Sequence, residues 1–153
     1  MIATRARGFT LIELVVVITI LGILAAFAVP KFITLDTSAR TSTINGLAGS
    51  VRSAASLARG MAMASQSTTT VTMEGASVSL LYSYPDATLT GIIAAVNTTA
   101  SGQDFTISAG ASASGTATWT KVGAPTPANC AVTYTPPTAS GNTPTIAVVT
   151  TGC

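Results

Sequence analysis

Residues 9–29, FTLIELVVVITILGILAAFAV, limit what this chain can fold into more than any other stretch. The run is uncharged apart from Glu13. About twenty residues at ~1.5 Å of rise each match the ~30 Å hydrocarbon core of a bilayer. Residues 1–8, MIATRARG, precede it with Arg5 and Arg7 and no acid. A carboxylate inside hydrocarbon costs several kcal/mol unless it is paired, so Glu13 is the residue that needs explaining.

Three readings compete for this segment. A secretory signal cleaved after the apolar run would have a core of ~7–15 residues, shorter than this one and without an acid. A plain signal anchor would use Arg5 and Arg7 to hold the N-terminus in the cytoplasm. A cut between Gly8 and Phe9 would keep the whole run in the mature protein. Glu13 lies four residues past Phe9, ~6 Å along a helix axis, close enough to a bilayer surface to be tolerated there. In a bundle of such helices it would need a cation, and a new Phe9 amine on a neighbouring chain supplies one. Losing one partner of a buried pair costs ~3–5 kcal/mol, so the pair would penalise subunits inserted at the wrong height. The plainer alternative is that Glu13 snorkels to an interface. Gly22 and Pro30 interrupt the run, and proline in a helix removes one hydrogen bond, so the helix could kink or unwind between them.

The string Gly8-Phe9-Thr10-Leu11-Ile12-Glu13, after a short basic leader and before a long apolar run and Pro30, resembles the processing site of type IV pilins and of the related type II secretion pseudopilins. Pro30-Lys31-Phe32-Ile33 with Asp36, Ala39 and Arg40 is similar to the mannose-sensitive haemagglutinin branch of type IVa pilins. The resemblance implies cleavage after Gly8 by a prepilin peptidase, N-methylation of Phe9, and handling by an inner-membrane assembly machinery. It implies an inner-membrane precursor that polymerises with itself into an extracellular filament for adhesion or motility, with a host or surface ligand as a further partner. The implied fold is α+β: a long N-terminal helix with a protruding transmembrane half and a second half packed on a small antiparallel sheet. The chain then divides into a leader (1–8), a filament-core helix (9–30), the second half of the helix (31–65) and a β-rich body (66–153).

The residues beyond 30 fit that division. Ile44, Leu47, Ala48, Val51, Ala54, Ala55, Ala58, Met61 and Ala62 recur at helical spacing and predict one narrow, alanine-rich face. Val71 and Met73, then Glu74-Gly75, then Val78, Leu80 and Tyr82 alternate as a β-hairpin or two successive strands about a turn, with Tyr84-Pro85-Asp86 ending the second. Residues 88–96 read as a short helix with strand as the rival, and residues 104–108 and 116–121 as further strands. Trp119 is expected in the core, with sugar stacking as the minor alternative. Residues 130–135 and 145–150 predict a last hairpin around a proline-rich loop.

The chain has two cysteines, Cys130 and Cys153, and the hairpin would bring them together at its open end. An export-type segment and a single late pair suggest an oxidising compartment and one disulfide; two buried free thiols are the alternative. The resemblance implies that this bond bounds a surface loop used in contacts.

Charged residues make up 8% of the chain, and without residues 1–8 the basic and acidic side chains balance. No basic patch with interleaved aromatics points to nucleic acid. Histidine is absent, which removes the commonest general base and metal ligand. Glu13, Asp36, Glu74, Asp86 and Asp104 are scattered, no phosphate-cradling loop occurs, and no cofactor or metal is expected. Asn97-Thr98-Thr99 fits the N-glycosylation pattern. The reading is a structural subunit and not an enzyme. The alternatives are a pseudopilin, separated by whether filaments stand on intact cells, and a signal-anchored periplasmic binding domain or enzyme, which would stay monomeric with an uncleaved leader.

Overall fold

The computed structural model describes residues 8–98 and 104–153. Residues 1–7 of the expected leader, with Arg5 and Arg7, and the third residue of the glycosylation pattern, Thr99, lie outside the described residues. The chain divides into two compact units, Met1–Thr37 and Ser38–Cys153.

Helix α1 runs over Leu11–Ser65 and supplies residues to both units. It continues through Gly22 and Pro30, although Pro30 has no N–H to offer the preceding turn. In the first unit the large apolar side chains from Leu11 to Leu35 are exposed. The second unit is built on the other part of the helix. There Ile44, Leu47, Ala48, Val51, Ala54, Ala55, Ala58 and Ala62 are buried, which is the expected stripe apart from the half-buried Met61. Alanine gives up little side-chain entropy and lets the helix backbone lie close to what it packs on.

The strands are β1 (Thr70–Met73), β2 (Ala76–Leu81), β3 (Tyr84–Pro85), β4 (Phe105–Ser108), β5 (Ala117–Lys121), β6 (Ala131–Thr135) and β7 (Thr145–Val149). All pair antiparallel with their sequence neighbours within two sheets, β1-β2-β3 and β4-β5-β6-β7. The fold is therefore α+β as expected, with two sheets in place of the expected one. Tyr84-Pro85 does not simply end β2. Tyr82 and Ser83 turn the chain with positive φ, and Tyr84 and Pro85 return as the short strand β3. Proline offers no ladder N–H, which keeps that strand short and at the sheet's edge. Residues Leu89–Ile93 form a short π-type helical turn interrupted at Gly91, whose φ of −94° and ψ of −115° are not helical, so the expected helix over residues 88–96 is met only in part.

The two sheets take different portions of the helix face. Ile44, Leu47, Val51 and Ala55 share a core with Trp119, Val132 and Tyr134 of the four-stranded sheet. Ala58 and Ala62 pack with Val71, Met73, Val78 and Leu80 of the three-stranded sheet. Tyr134 joins the two sheets, its hydroxyl donating to the Pro85 carbonyl at 2.7 Å. Burial pushes the Tyr134 phenol well above its ordinary value of 10.0, with the nearby Tyr84 and Asp86 adding to the shift. Trp119 is fully buried and its indole N–H donates to Thr98 Oγ1 at 3.2 Å, so its ring offers no face to a sugar.

Candidate processing and assembly segment

The helix begins with a local device. Thr10 and Glu13 are the Ncap and N3 residues of a capping box, the T-x-x-E pattern that closes the first turn on itself. Thr10 donates from its backbone N–H to Glu13 Oε2 at 2.9 Å and from its hydroxyl to the same oxygen at 2.8 Å. The Glu13 N–H returns a bond to Thr10 Oγ1 at 3.3 Å. The sequence reading weighed Glu13 alone; the threonine three residues before it was the signal that it also caps the helix. Both bonds to the carboxylate end on Oε2, which leaves Oε1 open to another donor without breaking the cap.

Beyond the cap the segment satisfies its own polar groups. The Thr19 hydroxyl donates back to the carbonyls of Val15 and Val16 at 2.9 and 2.8 Å, so it costs little in an apolar setting. An 18-residue window of α1 reaches a mean hydropathy of 2.8, and none of it is buried. By length and composition the helix can cross a membrane. Phe9, Ile12, Val16 and Val17 line a shallow apolar recess beside Glu13. Gly8 precedes the helix in an exposed position, and Phe9 beside it is 80% exposed. A Cβ on Gly22 would meet nothing within 4 Å, so the isolated chain sets no steric requirement for glycine there.

The other expected site forms as drawn. Cys130 and Cys153 are joined by a disulfide with their Cα atoms 4.8 Å apart. Strands β6 and β7 pair beside it with Val132 opposite Val148 and Tyr134 opposite Ile146. A short 3₁₀ turn at Pro127–Asn129, which the sequence reading missed, leads into Cys130. Gly152 donates to the Asn129 carbonyl at 2.9 Å and its own carbonyl accepts from the Thr126 N–H at 3.1 Å. A Cβ at Gly152 would stand 2.6 Å from Thr126 O and from Asn129 Cβ, so only glycine fits this approach. Arg40 of α1 ties the same corner to the helix, donating from Nη1 to the Cys153 carbonyl at 2.9 Å. Among the described residues no cluster of acids, histidines and cysteines could hold a metal ion.

A long N-terminal helix with an exposed apolar half, a capped start and an α+β body define the pilin-like class of fold. Residues 3–29 match the family model described as the prokaryotic N-terminal methylation motif. The chain is 52% identical over 54 residues to the type IV narrow pilus major component PilA5 of Thermus thermophilus, covering 35% of this chain and 47% of that protein. It is 55% identical over 38 residues to the type IV major pilin protein PilA of Myxococcus xanthus, covering 25% of this chain and 17% of that protein. The alignments thus span less than half the length of the relatives they match. No solved structure matches the chain. These matches support the resemblance to type IV pilins.

Proposed function

We propose that this chain is the structural subunit of a type IV pilus. A prepilin peptidase cuts after Gly8 and the new N-terminus at Phe9 is methylated. The subunit waits in the inner membrane, held by residues 9–30, until the assembly machinery adds it to an extracellular filament used in adhesion or motility. The observation that carries this reading is a helix half that bears the N-terminal methylation motif and exposes its apolar side chains. Lipid covers that surface before assembly and identical helices cover it afterwards. At ~25 cal/mol per Å² of apolar surface removed from water, neither state tolerates solvent on it.

Glu13 gives the step its register. Its Oε2 stays on Thr10 while Oε1 accepts from the Phe9 amine of a neighbour, so entry into the filament keeps the helix cap. Gly22 and Pro30 mark where the helix loses turns as it packs, since Pro30 has already removed one hydrogen bond there.

Mass spectrometry of material sheared from intact cells tests this reading. The expected product begins at a methylated Phe9. A mature chain beginning at any other residue would overturn the proposal, as would normal fibres from the Gly8→Ala chain. Fibres seen on intact cells also separate a pilus from a pseudopilus.

A further inference from the structure

The unit Ser38–Cys153 satisfies nearly all of its charges internally. Arg40 is engaged with the Cys153 carbonyl, and the Arg59 guanidinium lies 4.5 Å from the centre of the Tyr84 ring. Asp86 Oδ1 accepts from the Thr88 N–H at 2.9 Å and from its hydroxyl at 2.6 Å. Lys121 pairs with Asp104 at 2.9 Å. Two charges are left over. Among the described residues neither the Arg52 nor the Glu74 side chain has a hydrogen bond or an ion pair, and both residues are exposed.

They stand on opposite flanks of α1. Ser50 and Arg52 bracket the fully buried Val51, so at ~100° per residue they leave the helix on either side of the buried stripe. On the Ser50 side a groove of about 630 Å³ is walled by Leu57, Met61, Met73 and Ala95, with Glu74 contributing a carboxylate. On the other side Arg52 stands over a smaller cleft of about 380 Å³ with Tyr84, Pro144 and Ile146.

Glu74 also occupies an unfavourable position. It has φ 49° and is followed by Gly75 at φ 84°, so both central residues of the β1–β2 turn are left-handed. Such turns favour Asn or Asp before Gly, and a longer side chain is disfavoured there. Strain of this kind at an exposed charge is a pointer to use.

We propose that Glu74 of one copy pairs with Arg52 of the next, the arginine stem lying along Leu57 and Met61 in the groove. The patches differ and face apart, so the contact is head-to-tail and propagates instead of closing into a dimer. Long charged side chains suit this, since the stem covers apolar surface while the head meets its partner. The inference rests on the filament reading above and adds the lateral contact that the helix alone does not provide.

Full-length chains in pilus-forming cells test it. Arg52→Glu and Glu74→Arg each set like charges face to face, and each should lower sheared fibre yield by about tenfold. The double exchange should restore yield to within about twofold of the parent, because the pairing between copies is then re-formed with its polarity reversed. Single exchanges without effect, or a double no better than the singles, would overturn the contact. Where a reversal lowers the melting temperature of the detergent-solubilised chain, Arg52→Gln and Glu74→Gln replace it, each with an expected loss of about threefold; a yield equal to the parent's overturns the contact equally.

A second measurement does not need fibre yield. In the Arg52→Lys chain, carbodiimide should join the new amine to Glu74 of a different copy, identified by peptide mapping of mixed isotope-labelled chains. Absence of that cross-link overturns the inference. The filament reading fails separately, when the mature parent chain does not begin at Phe9.

Discussion

The first and second halves of α1 share one helix and one backbone geometry, yet they use apolar residues in opposite ways. Residues 11–37 carry Leu, Ile, Val and Phe in abundance and bury almost none of it. Residues 38–65 carry mostly alanine on their inner face and bury nearly all of it. The more hydrophobic half is thus the one without an intrachain core. What separates them is shape. The alanine stripe is narrow and flat enough to receive two sheets, whereas the first half is apolar on every side and fits only a solvent as apolar as itself, or copies of itself. The second half stabilises the fold, whereas the first buries no core of its own and is, on the filament reading proposed above, kept for assembly.

That contrast is broken most directly at Glu13. Glu13→Ala should remove the proposed register pair and lower fibre yield by more than tenfold, since breaking a buried pair costs ~3–5 kcal/mol. The chain should still be cut after Gly8, and the melting temperature of the body should not move, because Glu13 bonds only within the first helical turn. A body that melts several degrees lower would show that the two halves are not divided as described.

The converse substitution acts on the second half. Trp119 is fully buried against α1 and its N–H is satisfied by Thr98, so Trp119→Ala leaves both a cavity and an orphaned hydroxyl. Unfolding in denaturant should show a loss of ~3–5 kcal/mol. Phe27→Ala, on the exposed first half, should leave that curve unchanged while lowering fibre yield.

Replacing Cys130 and Cys153 by alanine should cost the body ~2–4 kcal/mol, less than the loss of Trp119 in most contexts. The bond closes a separation of 23 residues and anchors the corner to which Arg40 is tied. The effect should appear in the body's unfolding curve and leave N-terminal processing untouched.

The sequence made these two halves legible to different degrees. The helical stripe from Ile44 to Ala62, the β1–β2 hairpin, the β6–β7 hairpin and the disulfide all followed from spacing, because each rests on local periodicity or on a single pair of thiols. The division of the strands into two sheets did not. It depends on Tyr82 and Ser83 taking left-handed conformations and on a tyrosine hydroxyl meeting a carbonyl 49 residues away in the chain, and neither leaves a mark in the pattern of apolar residues. At the N-terminal segment the motif located Glu13, while its bond to Thr10 was hidden behind the more conspicuous question of a charge in an apolar run.

Tyr134 supplies the smallest and most selective test. Its phenol lies in the second half's core, donates to Pro85 O, and is held protonated by burial. The folded-state value is raised above the ordinary 10.0, so the folded chain keeps its proton where the unfolded chain gives it up. The stability this contributes is complete below about pH 10 and declines as pH rises further toward the folded value. Tyr134→Phe should cost ~1–3 kcal/mol at neutral pH by leaving the Pro85 carbonyl without a donor. The same variant should lose stability less steeply than the parent above pH 10, so the two curves converge. Parallel curves would mean that the link between the sheets is not the group that alkali breaks, and the weak point of the body would then lie elsewhere than between its two sheets.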